Sequence, residues 1–193
     1  LENESAKFWG SVLNNLRNRG VKDILIFCSD SLSGLSDAIN AVYPQSEIQN
    51  CIIHQIRNST KHVSYKDLKQ LMPDLKALSQ AVDLDAAAAA LESFAEKWDS
   101  KYPRISASWR KNWSHLTPYF KYPPELRKLI YTTNKIEGFN RQLRKVTKSK
   151  SVFPTDDSLL KMLYLAMMDI TAKWTRYRDW NYIYGQLCLY FGE

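Results

Sequence analysis

Glu137 stands in a helix-patterned segment that is otherwise a run of positive charge, TTNKIEGFNRQLRKVTKSK from Thr132 to Lys150. At helical spacing Glu137, Arg141, Arg144 and Lys148 share one face, while Ile136, Phe139, Leu143 and Val146 share the other. A lone carboxylate on a phosphate-seeking face suggests a metal site beside nucleic acid; a simple i to i+4 ion pair with Arg141 is the plainer reading. A second acid, Asp30, follows the apolar run from Ile24 to Cys28. A carboxylate at the carboxyl end of a buried strand in an open α/β sheet points into the crevice where such sheets bind ligands. Phosphodiester chemistry needs two or three carboxylates to hold hard divalent ions on oxygen, and Asp30 with Glu137 would supply two. Ser29, Asp30, Ser31 and Ser33 equally suit the N-cap of a following helix.

Between the two acids lies CIIHQIRN, residues 51–58. Cys51 and His54 have the spacing of half a zinc site. Of the remaining candidates, Cys28, His62, His115 and Cys188 form no second pair at matching spacing, so no zinc is expected. Cys51 also reads as a small buried hydrophobe, while His54 could border the crevice of Asp30 and donate to a phosphate or orient water. Asn134 and Asn140 flank Glu137 at i−3 and i+3, where each could hydrogen-bond a phosphate or the carboxylate; Asn134 would serve equally as a helix cap.

These side chains need a frame. A helix is predicted from about Asn3 to Asn18, then a strand at 24–28 whose unbroken apolar run reads as buried on both faces. A helix from Gly34 to Tyr43, a Pro44 stop and a strand at 47–53 complete a strand, helix, strand crossover. Two strands are marginal alone, so further strands are expected upstream of Leu1 or from a second copy of the chain. From His54 the pattern is almost wholly helical, with helices near 54–62, 64–81 (interrupted around Pro73), 84–100 and 104–116. Trp98, Trp109 and Trp113 are read as packing rather than base-stacking residues. Thr155 is a candidate cap for an apolar helix from Ser158 to Trp174. The resulting class is α/β, mostly helical.

The chain has 193 residues with 27 Lys and Arg against 20 Asp and Glu, a net charge of +7. Residues 121–150 hold nine bases and two acids, so this stretch equals the whole excess. Such a focus reads as a footprint for nucleic-acid phosphates, with Arg141, Arg144, Lys145, Lys148 and Lys150 as its contacts. The apolar seam beside it lacks the large face that membrane insertion needs, and no segment approaches a membrane span. No secretory signal pattern opens the chain, and three widely spaced cysteines suit a reducing cytosol rather than a disulfide framework.

Taken together, CSDSLSGL (28–35), CIIHQIRN (51–58), SYKDLKQLMPDLK (64–76), KYP with SWRKNW (101–113) and FKYPPELRKLIYTTNKIEGFNRQLRKVTKSK (120–150) resemble the bacterial Mutator-type DDE transposases of insertion sequences. The resemblance implies a ribonuclease-H-like core over 1–56, a large helical insertion over 57–120 and a return to the core over 121–193. It places catalytic acids at Asp30 and Glu137 and makes Cys51 and His54 the family's Cys-x-x-His signature. It implies two Mg²⁺ (or Mn²⁺) ions, DNA as partner, a homo-oligomer and a cytoplasmic, nucleoid-associated bacterial protein. The family's first catalytic Asp matches no residue here, and Leu1 is not an initiator Met. The expectation is therefore the C-terminal part of a longer transposase, inactive alone. A non-catalytic DNA-binding module or a helical dimerisation module would need the basic helix but not Asp30.

Overall fold

The computed structural model describes residues 5–148 and 152–192; Lys150 lies outside the described residues. The chain divides into two compact units, the first ending at Thr132 and the second beginning at Thr133. Both are mainly helical.

In the first unit, α1 (Ala6–Asn18), β1 (Ile26–Ser29), α2 (Leu35–Val42) and β2 (Glu47–Asn50) form the crossover read from the sequence. The strands pair in parallel, with Ile26 opposite Glu47 and Ser29 opposite Asn50. The apolar stripes of α1 and α2 meet over the sheet: Leu13, Leu35, Ala38, Ile39, Val42, Tyr43 and Ile48 are buried together, with Trp9, Leu16, Ile24 and Phe27 against them. Ser5 caps α1, its side chain accepting from the Phe8 amide. One expectation is corrected here. The run at 24–28 is not buried on both faces, because Leu25 and Cys28 are exposed. Among the described residues β1 has a strand partner on one edge only, and it is Ile24 and Phe27 of the run that pack against the core.

Gly34 fixes the turn between β1 and α2. Its φ is +74°, and a Cβ there would lie 2.6 Å from the Ala6 backbone nitrogen. Only glycine combines that left-handed backbone with so close an approach of α1.

The helices that follow are α3 (Ile52–Thr60), α4 (Tyr65–Ser79), α5 (Leu84–Trp98), α6 (Pro103–Lys111), α7 (Trp113–Leu116) and, after a 3₁₀ turn at Pro118–Lys121, α8 (Pro124–Ile130). Helix α4 runs through Pro73 without the expected interruption. Leu71, Leu75 and Leu78 are buried on either side of it, and that packing offsets the missing backbone hydrogen bond. Trp98 and Trp109 are core residues, as read: the Trp98 indole donates to Asp74 Oδ2 at 2.7 Å and the Trp109 indole to Ser59 Oγ at 2.9 Å. The sheet is fastened to the helices by Gln49, which is fully buried. Its amide nitrogen donates to the carbonyls of Leu116 (3.0 Å) and Asn50 (2.8 Å), and its oxygen accepts from the Tyr119 amide at 2.8 Å.

The second unit contains α9 (Asn134–Lys148), α10 (Asp156–Thr171) and α11 (Trp180–Phe191). Thr155 caps α10 in a reciprocal box with Ser158, as its sequence position suggested. Phe139 of α9 meets Trp174 edge-on, with ring centroids 5.8 Å apart. The apolar seam of α9 is less deeply covered than its pattern suggested. Phe139, Leu143 and Val146 are half-buried and Ile136 is 53% exposed. Helix α11 was not anticipated, because WNYIYGQLCLYF is apolar almost throughout and lacks the polar face that marks helical period. Among the described residues no helix is long and apolar enough to cross a membrane.

Candidate active site

The parallel register assembles the first part of the site. Ser29 and Asn50 are paired at the ends of β1 and β2, and the Cys51 amide donates to the Ser29 carbonyl at 2.8 Å. Asp30 and Cys51 therefore leave the two strands side by side. Cys51 is the N-cap of α3, and His54 follows it by three residues, so both lie on the same side of the first turn. The outcome is a cluster in which one ligand atom each from Asp30, Cys51 and His54 lies within 4.8 Å of the others.

Asp30 is not the cap of α2; that position is Gly34, in the left-handed conformation. Its carboxylate instead accepts from His54 Nδ1 at 2.7 Å. His54 Nε2 lies 3.3 Å from Arg57 Nη1, one turn along α3. Arginine can only donate, so Nε2 accepts and Nδ1 carries the proton given to Asp30. A donor chain thus runs from Arg57 through His54 to Asp30, fixing the imidazole's tautomer and the carboxylate's orientation together. The Asp30 side chain is 44% exposed and that of His54 28%, whereas Cys51 is 2% exposed. The carboxylate is the most exposed member of the cluster and the thiol the most buried.

Cys28 is close enough for Cys51 to influence it. Desolvation by its surroundings pushes the Cys28 thiol up to about 11, and Cys51 adds to the rise. Cys28 is accordingly a neutral thiol at physiological pH. A cavity of about 290 Å³ lies among the helices of the first unit, lined in part by His62, Val63, Lys101, Tyr102 and Ile105, and none of the clustered residues lines it.

Glu137 belongs to the second unit, on the first turn of α9, where its carboxylate accepts from the buried Thr133 hydroxyl at 3.4 Å. Asn134 is the first residue of α9. Asn134, Asn140, Arg141, Arg144, Lys145 and Lys148 are all exposed, so the basic face of α9 is open as the periodicity required. At the end of the first unit, the Tyr131 carbonyl accepts from the Ile52 amide at 2.9 Å, directly after Cys51. Sequence reasoning missed Arg57, Thr133 and Gln49. Arg57 at i+3 from His54 was the one visible signal among them.

The carboxylates suit a hard, oxygen-seeking ion such as Mg²⁺ or Mn²⁺. The Cys51 sulfur and His54 nitrogen do not, being donors for softer ions.

Comparison with known proteins agrees with the motif order. Residues 1–177 match the family described as "Transposase, Mutator family". A probable transposase for insertion sequence element ISRM3-like from Sinorhizobium fredii is 46% identical over 194 aligned residues, covering 100% of this chain and 48% of that protein. The transposase for insertion sequence element ISRM3 from Rhizobium meliloti is 45% identical, with the same coverage. A probable insertion-sequence transposase from Corynebacterium diphtheriae is 42% identical over 89% of this chain and 50% of its own length. The chain spans about half the length of the curated relatives it matches. With its own motifs in the family's order and the family match running from Leu1 to Tyr177, this chain belongs to the Mutator family of transposases.

Proposed function

We propose that this chain carries part of the catalytic region of an insertion-sequence transposase, cleaving DNA strands and joining them to a target by metal-dependent phosphoryl transfer. The observation that carries the reading is the Asp30 carboxylate, partly exposed at the end of a parallel strand and held by His54. Asp30 and Glu137 are the residues that would hold the divalent ions. A pair of Mg²⁺ or Mn²⁺ ions would supply charge stabilisation for in-line attack at phosphorus.

The chain's own groups have separate tasks. His54, itself held by Arg57, keeps one Asp30 oxygen occupied and so fixes the carboxylate. Thr133 restrains Glu137 in the same manner at the start of α9. Arg141, Arg144, Lys145 and Lys148 follow the DNA backbone, with Lys150 continuing the charge in the sequence, and these contacts position the duplex rather than read it. Asn134 and Asn140 add hydrogen bonds to phosphate.

The parallel β1–β2 pair and its α2 crossover are the beginnings of a ribonuclease-H-like sheet, completed by strands from the rest of the transposase or from a second copy of the chain. Two acids do not make the family's three, so the chain alone is inactive.

The test uses the full-length transposase. Asp30→Ala and Glu137→Gln should each abolish strand transfer while leaving DNA affinity within about twofold, since one charge is a small part of a multi-phosphate footprint. Transfer retained by either variant refutes the assignment. Loss of binding without a specific loss of chemistry would favour a non-catalytic DNA-binding module.

A further inference from the structure

We propose that Asp30, Cys51 and His54 form a binding site for one thiophilic divalent cation of the Zn²⁺ class, with water as fourth ligand. Cys51 and His54 are half a zinc site by spacing, and no second Cys/His pair in the sequence matches them. The third donor is instead a carboxylate brought from the neighbouring strand.

Three features support the site. The donor set of sulfur, nitrogen and oxygen is one that borderline-soft ions take and Mg²⁺ does not. Three protein ligands with one open position match a zinc ion that keeps a water, and here the buried thiol closes one side while the partly exposed Asp30 leaves the other accessible. Cys51 also occupies the N-cap of α3, one turn before His54, so the backbone holds these two donors on one side of that turn.

Ligand atoms around a tetrahedral ion with bonds of 2.0–2.3 Å stand about 3.3–3.8 Å apart. The 2.7 Å contact between His54 and Asp30 is tighter than this and the 4.8 Å outer limit of the cluster is wider, so the side chains must turn to enclose an ion. The Cys51 thiol proton leaves to solvent. When Nδ1 becomes the ligand, the imidazole proton moves to Nε2 and Arg57 swings aside. Binding therefore strengthens with pH. The proposal stands on these side chains and is independent of the catalytic reading; if that reading also holds, an occupied site withholds Asp30 from hard ions.

The experiment is a Co²⁺ titration of this chain, metal-free and with its thiols reduced, followed by visible and near-ultraviolet absorption. One equivalent should produce a thiolate-to-cobalt charge-transfer band with the intense visible bands of four-coordination. Zn²⁺ should bleach both bands, and excess Mg²⁺ should not. The charge-transfer band should vanish in Cys51→Ser and persist in Cys28→Ser and Cys188→Ser. Its absence in the unaltered chain, its survival in Cys51→Ser, or its displacement by Mg²⁺ overturns the proposal. Should Cys51→Ser fail to fold, cadmium NMR of the unaltered chain decides, because the shift reports the number of sulfur ligands. One is expected; none, or two or more, overturns the site.

Discussion

At the scale of single residues, the backbone conformation of one position carries the largest predicted penalty. Gly34→Ala would place a side chain at positive φ and against the α1 backbone. The left-handed conformation costs roughly 1–2 kcal/mol and the overpacking roughly 1–3 kcal/mol, so a total loss of about 2–5 kcal/mol is expected in chemical denaturation. An unchanged midpoint would mean that α1 yields easily. Asp30 shows what can be read at this scale and what cannot. Its type and strand-end position marked it as a candidate, yet the same serine-rich stretch fitted a helix cap equally well. The deciding facts, the His54 partner and the Gly34 cap, depend on strand register and backbone angles, which residue type alone does not encode. Gln49 was illegible for a related reason. A glutamine in a four-residue strand announces nothing, and its importance comes from meeting Leu116 and Tyr119 across a fold not yet known.

At the scale of elements, periodicity identified most helices and correctly set the basic face of α9 toward solvent. It failed on α11, where apolar residues occupy nearly every position, and on the covering of β1, which depends on neighbours outside the strand. The open face of α9 makes a quantitative prediction. Each phosphate contact to duplex DNA contributes about 0.9 to the slope of log affinity against log salt. Replacing Arg141, Arg144, Lys145 and Lys148 together by Gln should lower that slope by up to about 3–4 in gel-shift titrations of the full-length protein. An unchanged slope removes α9 as the phosphate track and favours the helical scaffold.

The start of α4 supplies a pH test. Asp67 accepts from Lys101 Nζ and the Tyr102 hydroxyl, both at 2.5 Å, and from Ser64 Oγ at 2.7 Å. The Lys101 hydrogen bond foremost, then those of Tyr102 and Ser64, hold its carboxyl well below the usual carboxylate range, while Asp67 raises Lys101 in return. A depressed carboxylate contributes stability above its unfolded value near pH 4 and loses it as acid protonates the folded group. The raised lysine contributes below its unfolded value near pH 10 and loses that as the pH climbs past its folded value. Thermal midpoints should therefore fall less between pH 5 and pH 2 in Asp67→Asn than in the unaltered chain. Equal falls would exclude Asp67 from acid sensitivity.

At the scale of the whole molecule, the order of motifs was legible far earlier than any contact, because a set of spaced signatures constrains a family even when each is ambiguous alone. Division into two units was not legible: Thr132 and Thr133 lie within one continuous polar and basic stretch, with no linker composition to mark the change. The second unit also leaves Leu160, Tyr164, Leu165 and Met168 exposed on α10 and Tyr182, Tyr184, Leu189 and Tyr190 exposed on α11. Such wetted oily side chains on a molecule of net charge +7 set two forces against each other in a concentrated sample. Mutual repulsion keeps copies apart in dilute buffer, and added electrolyte weakens that repulsion without weakening the stickiness. Light scattering should therefore report growing particle mass as sodium chloride rises, and a double Leu160→Lys, Leu165→Lys exchange should keep the preparation clear.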